Sequence, residues 1–259
     1  MAQKIQEVLL VLLMLLALVI PPTIIMLIVL ITPYVRDGGA IRTTCTVARI
    51  ARPHRPTVLM MGDSIVNNYR DYVGRLYGDV AHITAPVYPD RSSDLPYAGL
   101  CNSDQAREKL LDCAGGFNWT VVTYNSGLHD CFDNEWVPPN RYRSNLAEAF
   151  VAMKTIAVIP IYITTTPFGK NTVNMNASCV VHYNSIALEE ANSAGITVID
   201  LYAHVSAFCG DTYEKCIIQE YNNLHFPNDD GALYLGLYIA RNIKLALTSH
   251  GFHTNTSWT

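Results

Sequence analysis

Three clusters of residues in this chain are of the types that activate an oxygen nucleophile. The first is Gly62-Asp63-Ser64-Ile65, directly after the short apolar run Thr57-Val-Leu-Met-Met61. A serine at a strand-to-helix turn has an exposed hydroxyl, and the N–H groups opening the helix point at the same spot, which suits an oxyanion. Gly-Asp-Ser is also a common turn and N-cap combination, so the tripeptide alone does not make a nucleophile. A serine hydroxyl is weak and requires a base within hydrogen-bond reach, whatever the distance in sequence. Of the eight histidines, His225 stands out, because Asn222-Asn-Leu-His225-Phe-Pro is a polar loop just ahead of the last amphipathic segment. The third cluster is Tyr124-Asn-Ser-Gly127-Leu-His129-Asp130. Polar donors and a glycine at a strand's carboxyl end can line a pocket, though such residues also simply make turns.

The elements that must position these clusters follow from apolar patterning. Thr57–Met61 ends in Gly62 and has the continuous apolar character of a buried parallel strand. The same pattern recurs at Trp119–Tyr124, Ala157–Ile163 and Ile196–Asp200. Helix-like segments lie between and after them: Ser103–Leu111, Tyr142–Met153, Tyr183–Ser193 and Gly231–Leu247. In the last, Leu233, Leu237, Ala240, Ile243 and Leu247 recur at intervals of three and four, which predicts one apolar face. Strands alternating with helices predict a parallel sheet covered on both faces, with chemistry at the carboxyl ends of the strands.

The chain has 259 residues, and its first part reads differently from the rest. From Val8 to Ile31 it is apolar without a charge, about the length that crosses a ~30 Å hydrocarbon core as helix. Pro21 and Pro22 would kink such a helix, and Val8–Ile20 alone could serve as a signal-peptide core, but no small-x-small cleavage site follows. The expected organisation is a short tail (1–7), a transmembrane signal anchor (8–32), a stalk rich in Gly, Arg, Thr and Pro (33–56), one catalytic-size domain (57–250) and a C-terminal tail (251–259). The flanking charges argue mildly against a cytosolic N-terminus. Three sequons beyond the anchor, at Asn118, Asn176 and Asn255, argue for a single-pass type II protein whose domain lies in the secretory lumen or outside the cell.

Net charge is −4 and the basic residues are scattered, which excludes the concentrated positive face of a nucleic-acid binder. All seven cysteines lie beyond the anchor and match no zinc spacing, so disulfides are expected. Cys101 with Cys113 and Cys209 with Cys216 are plausible local pairs. The odd cysteine is assigned to Cys45, a candidate for an intermolecular bond linking a dimer. No H-E-x-x-H or His/Asp cluster at ligand spacing occurs, and no metal or cofactor is expected.

Taken in order, GDSI near the domain's start, GLHD in its middle and NNLHF before the last helix resemble blocks I, III and V of the SGNH-hydrolase (GDSL-like) superfamily. Ile163-Thr-Thr-Thr-Pro167, His182-Tyr-Asn-Ser185 and Ile199-Asp-Leu-Tyr202 are similar to connecting elements of a GLHD-containing branch, so the resemblance spans about Thr57 to Leu247. It implies a three-layer α/β/α sandwich of flavodoxin-like type with a central parallel sheet. It also implies Ser64 as nucleophile, its backbone N–H as one oxyanion donor, and His225 as general base and then acid. Gly99, in Tyr97-Ala-Gly-Leu100, is the best match to the block II glycine and would supply a second N–H. Two departures matter. Asn222 stands where the family usually carries Asp, so it could orient the imidazole but brings no negative charge. His129 stands where the family usually carries Asn, and would have to donate from its ring to the oxyanion, with Asn125 as a substitute. The implied function is hydrolysis of a small acyl ester, with an acylated glycan as one substrate class. The alternatives are a catalytically silent glycan- or protein-binding domain, which the Asn222 departure favours, and an O-acyltransferase.

Overall fold

The computed structural model describes residue 45 and residues 55–86, 102–168, 175, 177–210, 216–219, 224–226 and 229–252. The tail, the expected anchor and most of the stalk lie outside the described residues. No helix among the described residues is long and apolar enough to cross a membrane.

Among the described residues five strands form one parallel sheet: β1 (Thr57–Met61), β2 (His82–Thr84), β3 (Trp119–Asn125), β4 (Ala157–Ile163) and β5 (Thr197–Ile199), in spatial order β2-β1-β3-β4-β5. Among the described residues six α-helices connect or follow them: α1 (Ser64–Tyr77), α2 (Ala106–Ala114), α3 (Pro139–Ile156), α4 (Ala177–Ala194), α5 (Leu201–Cys209) and α6 (Asp229–Ser249). Contacts join α1 to α6 and α5 to α6 in one row, and α2 to α3 and α3 to α4 in another. The reversal of strand order at β1 explains the two rows, because right-handed crossovers that change direction place their helices on opposite faces of the sheet. Val58, Leu59, Met60 and Met61 of β1 and Val121, Val122 and Tyr124 of β3 are fully buried, as strands covered on both faces must be.

The expected strands and the four expected helices are present, with helix ends displaced by a few residues. Two elements were not legible. The edge strand β2 is only His-Ile-Thr, too short for an apolar run to register. Helix α5 begins at Leu201, capped by Asp200, whose Oδ1 accepts from Ala203 N at 3.0 Å. The apolar face of α6 is also rotated from the expected one. Leu233 and Leu237 are exposed, whereas Leu235, Ile239, Ala240, Ile243 and Leu247 are buried. Gly236 decides between these stripes: a Cβ there would lie 2.7 Å from Tyr72 Cβ and 3.4 Å from Tyr69 O, so the face bearing this glycine is the one that meets α1.

Among the described residues three disulfides are present: Cys45–Cys113, Cys131–Cys179 and Cys209–Cys216. The last was expected; Cys101–Cys113 was not realised, and Cys45 is neither free nor available to link a dimer. Cys113 is fully buried on α2, and Cys45 reaches it from outside the domain's elements while its N–H donates to Asp112 Oδ2 at 3.3 Å. The odd cysteine is therefore Cys101, which lies outside the described residues. Replacing Cys131 and Cys179 together by serine should lower unfolding free energy by about 2–4 kcal/mol, measured by urea denaturation, because the bond closes a long loop. An unchanged midpoint would show that this pair is not joined in the native protein.

Candidate active site

The carboxyl ends of β1 and β3, where the strand order reverses, lead into two of the residues singled out by sequence, Ser64 and His129, and His225 is brought to the first of them. The paired strands end at Met61 and Asn125, and the chain then turns into Ser64 on one side and His129 on the other. Ser64 is the first residue of α1. Asp63 caps that helix, its Oδ1 accepting from Ile65 N at 2.9 Å. First-turn N–H groups have no intrahelical partner, so the Ser64 backbone N–H is placed to meet an anion. Gly62 is required by crowding, since a Cβ there would lie 2.4 Å from Val66 Cγ2 and 3.0 Å from Asn125 O. Gly127, at φ +120°, has left-handed backbone that favours glycine, and a Cβ would meet the Tyr142 hydroxyl at 2.9 Å.

Ser64 Oγ and His225 Nε2 lie 2.8 Å apart. This is the distance of a hydrogen bond in which the hydroxyl donates to the ring nitrogen. His225 is fixed from both flanks. Phe226 is fully buried and its N–H donates to Asn68 Oδ1 on α1 at 3.2 Å. On the other flank, Gln219 Nε2 donates to Leu224 O at 3.3 Å and to Pro167 O at 3.1 Å, which ties the histidine loop to the segment after β4. Neither His182 nor His204 competes for the serine. His182 is exposed on α4, and His204 is stacked on Tyr238, with ring centroids 3.7 Å apart.

The remaining sequence candidates separate clearly. His129 opens a single 3-10 turn, Leu128 N-terminal to it being buried, and its Nδ1 lies 2.9 Å from Glu135 Oε2. Asn125 is fully buried and its two amide hydrogens go to Ile163 O at 3.0 Å and Thr164 O at 3.2 Å. It is therefore a brace between β3 and β4, not a spare oxyanion donor; the reverse amide orientation would set its oxygen against two carbonyls. Gly99 and Asn222 lie outside the described residues, as do Asn176 and Asn255. Asn118 is exposed just before β3, at the end of the sheet opposite the serine.

The connecting motifs brace the site from below. Thr164 Oγ1 donates to Asp200 Oδ1 at 3.0 Å and accepts from Tyr202 N at 2.9 Å. Asn184 exchanges two hydrogen bonds with the Thr165 backbone, both at 3.0 Å. The Tyr183 hydroxyl donates to Val137 O, and so fixes the loop that follows His129. Asp130, fully buried, accepts from Ser103 N at 2.9 Å and Ser103 Oγ at 2.5 Å, which makes it structural.

Two carboxyls behind the serine carry an electrostatic penalty. Burial pushes Asp63 from its ordinary 3.8 up to about 6, with the nearby His129 pulling in the opposite direction. Burial also raises Asp130 to about 6, against the hydrogen bonds from Ser103. Asn68, Gln219 and Glu135 were missed by sequence reading. Each is a single polar residue in a loop or on a helix face, with no motif of its own.

No protein-family model matches the chain, and no curated protein matches it in sequence. Solved structures do match in fold. A lipase/acylhydrolase from Enterococcus faecalis is 18% identical, with a TM-score of 0.59 over 78% of this chain and 100% of the other. An acetylxylan esterase from Geobacillus stearothermophilus, solved as a catalytic serine-to-alanine mutant, is 14% identical, with a TM-score of 0.58 over 81% of this chain and all of the other. A carbohydrate acetylesterase from Sinorhizobium meliloti is 13% identical, with a TM-score of 0.52 over 74% and 99%. The chain has the fold of the SGNH hydrolases.

The raised carboxyls give a pH-dependent stability of definite sign. A carboxyl whose pKa is higher in the folded state contributes stability that is complete below the unfolded value and lost as pH rises through the folded one. Asp63→Asn keeps the capping oxygen but removes the charge. It should exceed wild type in unfolding free energy at neutral pH by on the order of 2 kcal/mol, with the advantage gone near pH 4. Denaturation across this range checks it, and a variant less stable than wild type at neutral pH would contradict the assignment.

Proposed function

We propose that the chain is a serine esterase that hydrolyses a small acyl ester through an acyl-enzyme on Ser64. The observation that carries this reading is the 2.8 Å contact between Ser64 Oγ and His225 Nε2, at a helix N-terminus in the crevice where an open α/β sheet places its chemistry. In this reading His225 removes the Ser64 proton as Oγ attacks the acyl carbon, and then delivers it to the departing alcohol. Water, activated by the same imidazole, releases the acid. In this reading the developing oxyanion would meet the Ser64 backbone N–H, with Gly99 N–H and His129 as the further donors that the block resemblance assigns.

By the block V resemblance Asn222 would be the third member, orienting the imidazole through its amide oxygen without adding a charge. An acetyl or similarly small acyl group on a glycan is the substrate class we favour, with the domain held on the non-cytosolic side of a membrane by the apolar segment 8–32. The fold shared with carbohydrate acetylesterases supports this choice, as do the sequons and disulfides.

The test uses the full chain, produced through an oxidising secretory route and assayed for hydrolysis of a short-chain aryl ester. Ser64→Ala and His225→Ala should each lower kcat by about three orders of magnitude or more with folding intact. Asn222→Asp should raise kcat about tenfold or more, by restoring a charge that stabilises the imidazolium. A well-folded wild-type protein with no turnover would instead favour a silent binding domain.

A further inference from the structure

Side-chain amides hold the backbone on both sides of His225. Gln219 Nε2 donates to Leu224 O at 3.3 Å, and the N–H of Phe226 donates to Asn68 Oδ1 at 3.2 Å. The Leu224 carbonyl belongs to the peptide group entering His225, and the Phe226 N–H to the one leaving it. A peptide group is a rigid plane, so the two soft dihedrals of a residue describe how its two planes are set about one Cα. Holding both planes therefore fixes φ and ψ of His225, and with them the direction in which the Cα–Cβ bond carries the ring.

Each amide refers the histidine to a different fixed part of the domain. Asn68 lies four residues after Ser64 on α1, so the two share one helix face. The histidine loop meets that face at successive turns, through the ring at Ser64 and the Phe226 N–H at Asn68. Gln219 uses its second hydrogen on Pro167 O at 3.1 Å. Pro167 follows the stretch in which Thr164 is joined to Asp200 and Thr165 to Asn184. Gln219 is itself set in place: its N–H donates to Cys216 O at 3.3 Å, Cys216 is bonded to Cys209, and Ile218 beside it is buried.

The two amides act in opposite senses, Asn68 as acceptor and Gln219 as double donor. Turning the Gln219 amide over would set its oxygen against two carbonyls. In the orientation it has, that oxygen is buried without a hydrogen bond. The residue thus costs stability at one atom, while its N–H groups direct the histidine loop.

We propose that Asn68 and Gln219 are positioning residues for the reaction at Ser64, a clamp that sets the main chain of His225 so that Nε2 faces Oγ. Neither touches the reacting atoms; both act through the base. The inference rests on the serine-esterase reading and deepens it. A misplacement of about 1 Å in such a contact can cost about a hundredfold in rate.

The experiment uses the full chain as wild type, Asn68→Leu, Asn68→Asp, Gln219→Met and Gln219→Glu. It measures kcat and KM for aryl acetate hydrolysis and the rate of fluorophosphonate labelling, with urea midpoints beside them. Asn68→Leu and Gln219→Met should each lower kcat by about 10- to 100-fold with KM held within about twofold, and slow labelling in proportion. The acidic variants should separate. Asn68→Asp keeps an acceptor and should recover to within about threefold of wild type, whereas Gln219→Glu, with no donor when ionised, should do no better than Gln219→Met. A role in packing alone predicts no such asymmetry. An active wild type whose kcat survives Asn68→Leu and Gln219→Met would overturn the clamp and leave the esterase reading intact. Equal losses in Asn68→Asp and Asn68→Leu would do the same. If the buried Gln219 variants do not fold, the Asn68 pair decides alone, because Asn68 is only half-buried. A wild type without turnover would overturn the esterase reading, and this inference with it.

Discussion

The contact between Ser64 Oγ and His225 Nε2 joins residues 161 positions apart, one at the first turn of the domain and the other just before its last helix. A hydrogen bond of 2.8 Å tolerates little error, and only the fold brings the two residues together. Much of the domain can be understood as what keeps these two atoms within reach. Helix α6 must lie against α1, and it does so through Gly236, where Tyr72 and the Tyr69 carbonyl leave no room for a side chain. Tyr72 adds a polar tie, its hydroxyl donating to Asp229 Oδ1 at 2.6 Å at the start of α6. Between the helices the histidine loop is pinned by Asn68 on one side and Gln219 on the other.

The same crevice shows a tension between stability and placement. Asp63 caps the helix that presents the serine, yet its second carboxyl oxygen is buried without a hydrogen bond, and burial raises its pKa. An apolar residue would remove the penalty but also the cap, and the N-terminal turn would lose the acceptor that fixes the backbone at Ser64. Asp130 is better satisfied, with Ser103 supplying two donors, and it anchors the segment before α2 to the turn after β3. The ends of β1 and β3 are thus held by buried polar contacts, where an apolar core would give less directional control.

The Ser64–His225 pair and the sheet are readable in the sequence because both leave strong local signatures. Strands β1, β3 and β4 are mostly apolar runs of five or seven residues, β5 lies within the run Ile196–Ile199, and the serine and histidine sit in short motifs of fixed order. What was illegible depends on tertiary partners. The three-residue β2 has no pattern to read, and the leucine spacing points to one face of α6 whereas the steric demand of Gly236 selects another. Asn125 looked like a free donor because nothing in its neighbourhood announces the β4 carbonyls that take both its hydrogens. The Cys113 pairing was misread for the same reason: Cys101 is near in sequence, but Cys45 is the partner across a separation of 68 residues. Asn68, Gln219 and Glu135 act only through loops brought to them by the fold.

The account stands on Ser64 being a working nucleophile, and the most direct measurement is peptide-level mass spectrometry of the full chain after reaction with a fluorophosphonate, over a range of pH. The account predicts a single adduct on Ser64, formed only by folded protein and lost as acid protonates His225. A folded protein that forms no adduct, or forms it on another residue with Ser64 unmodified, would contradict it.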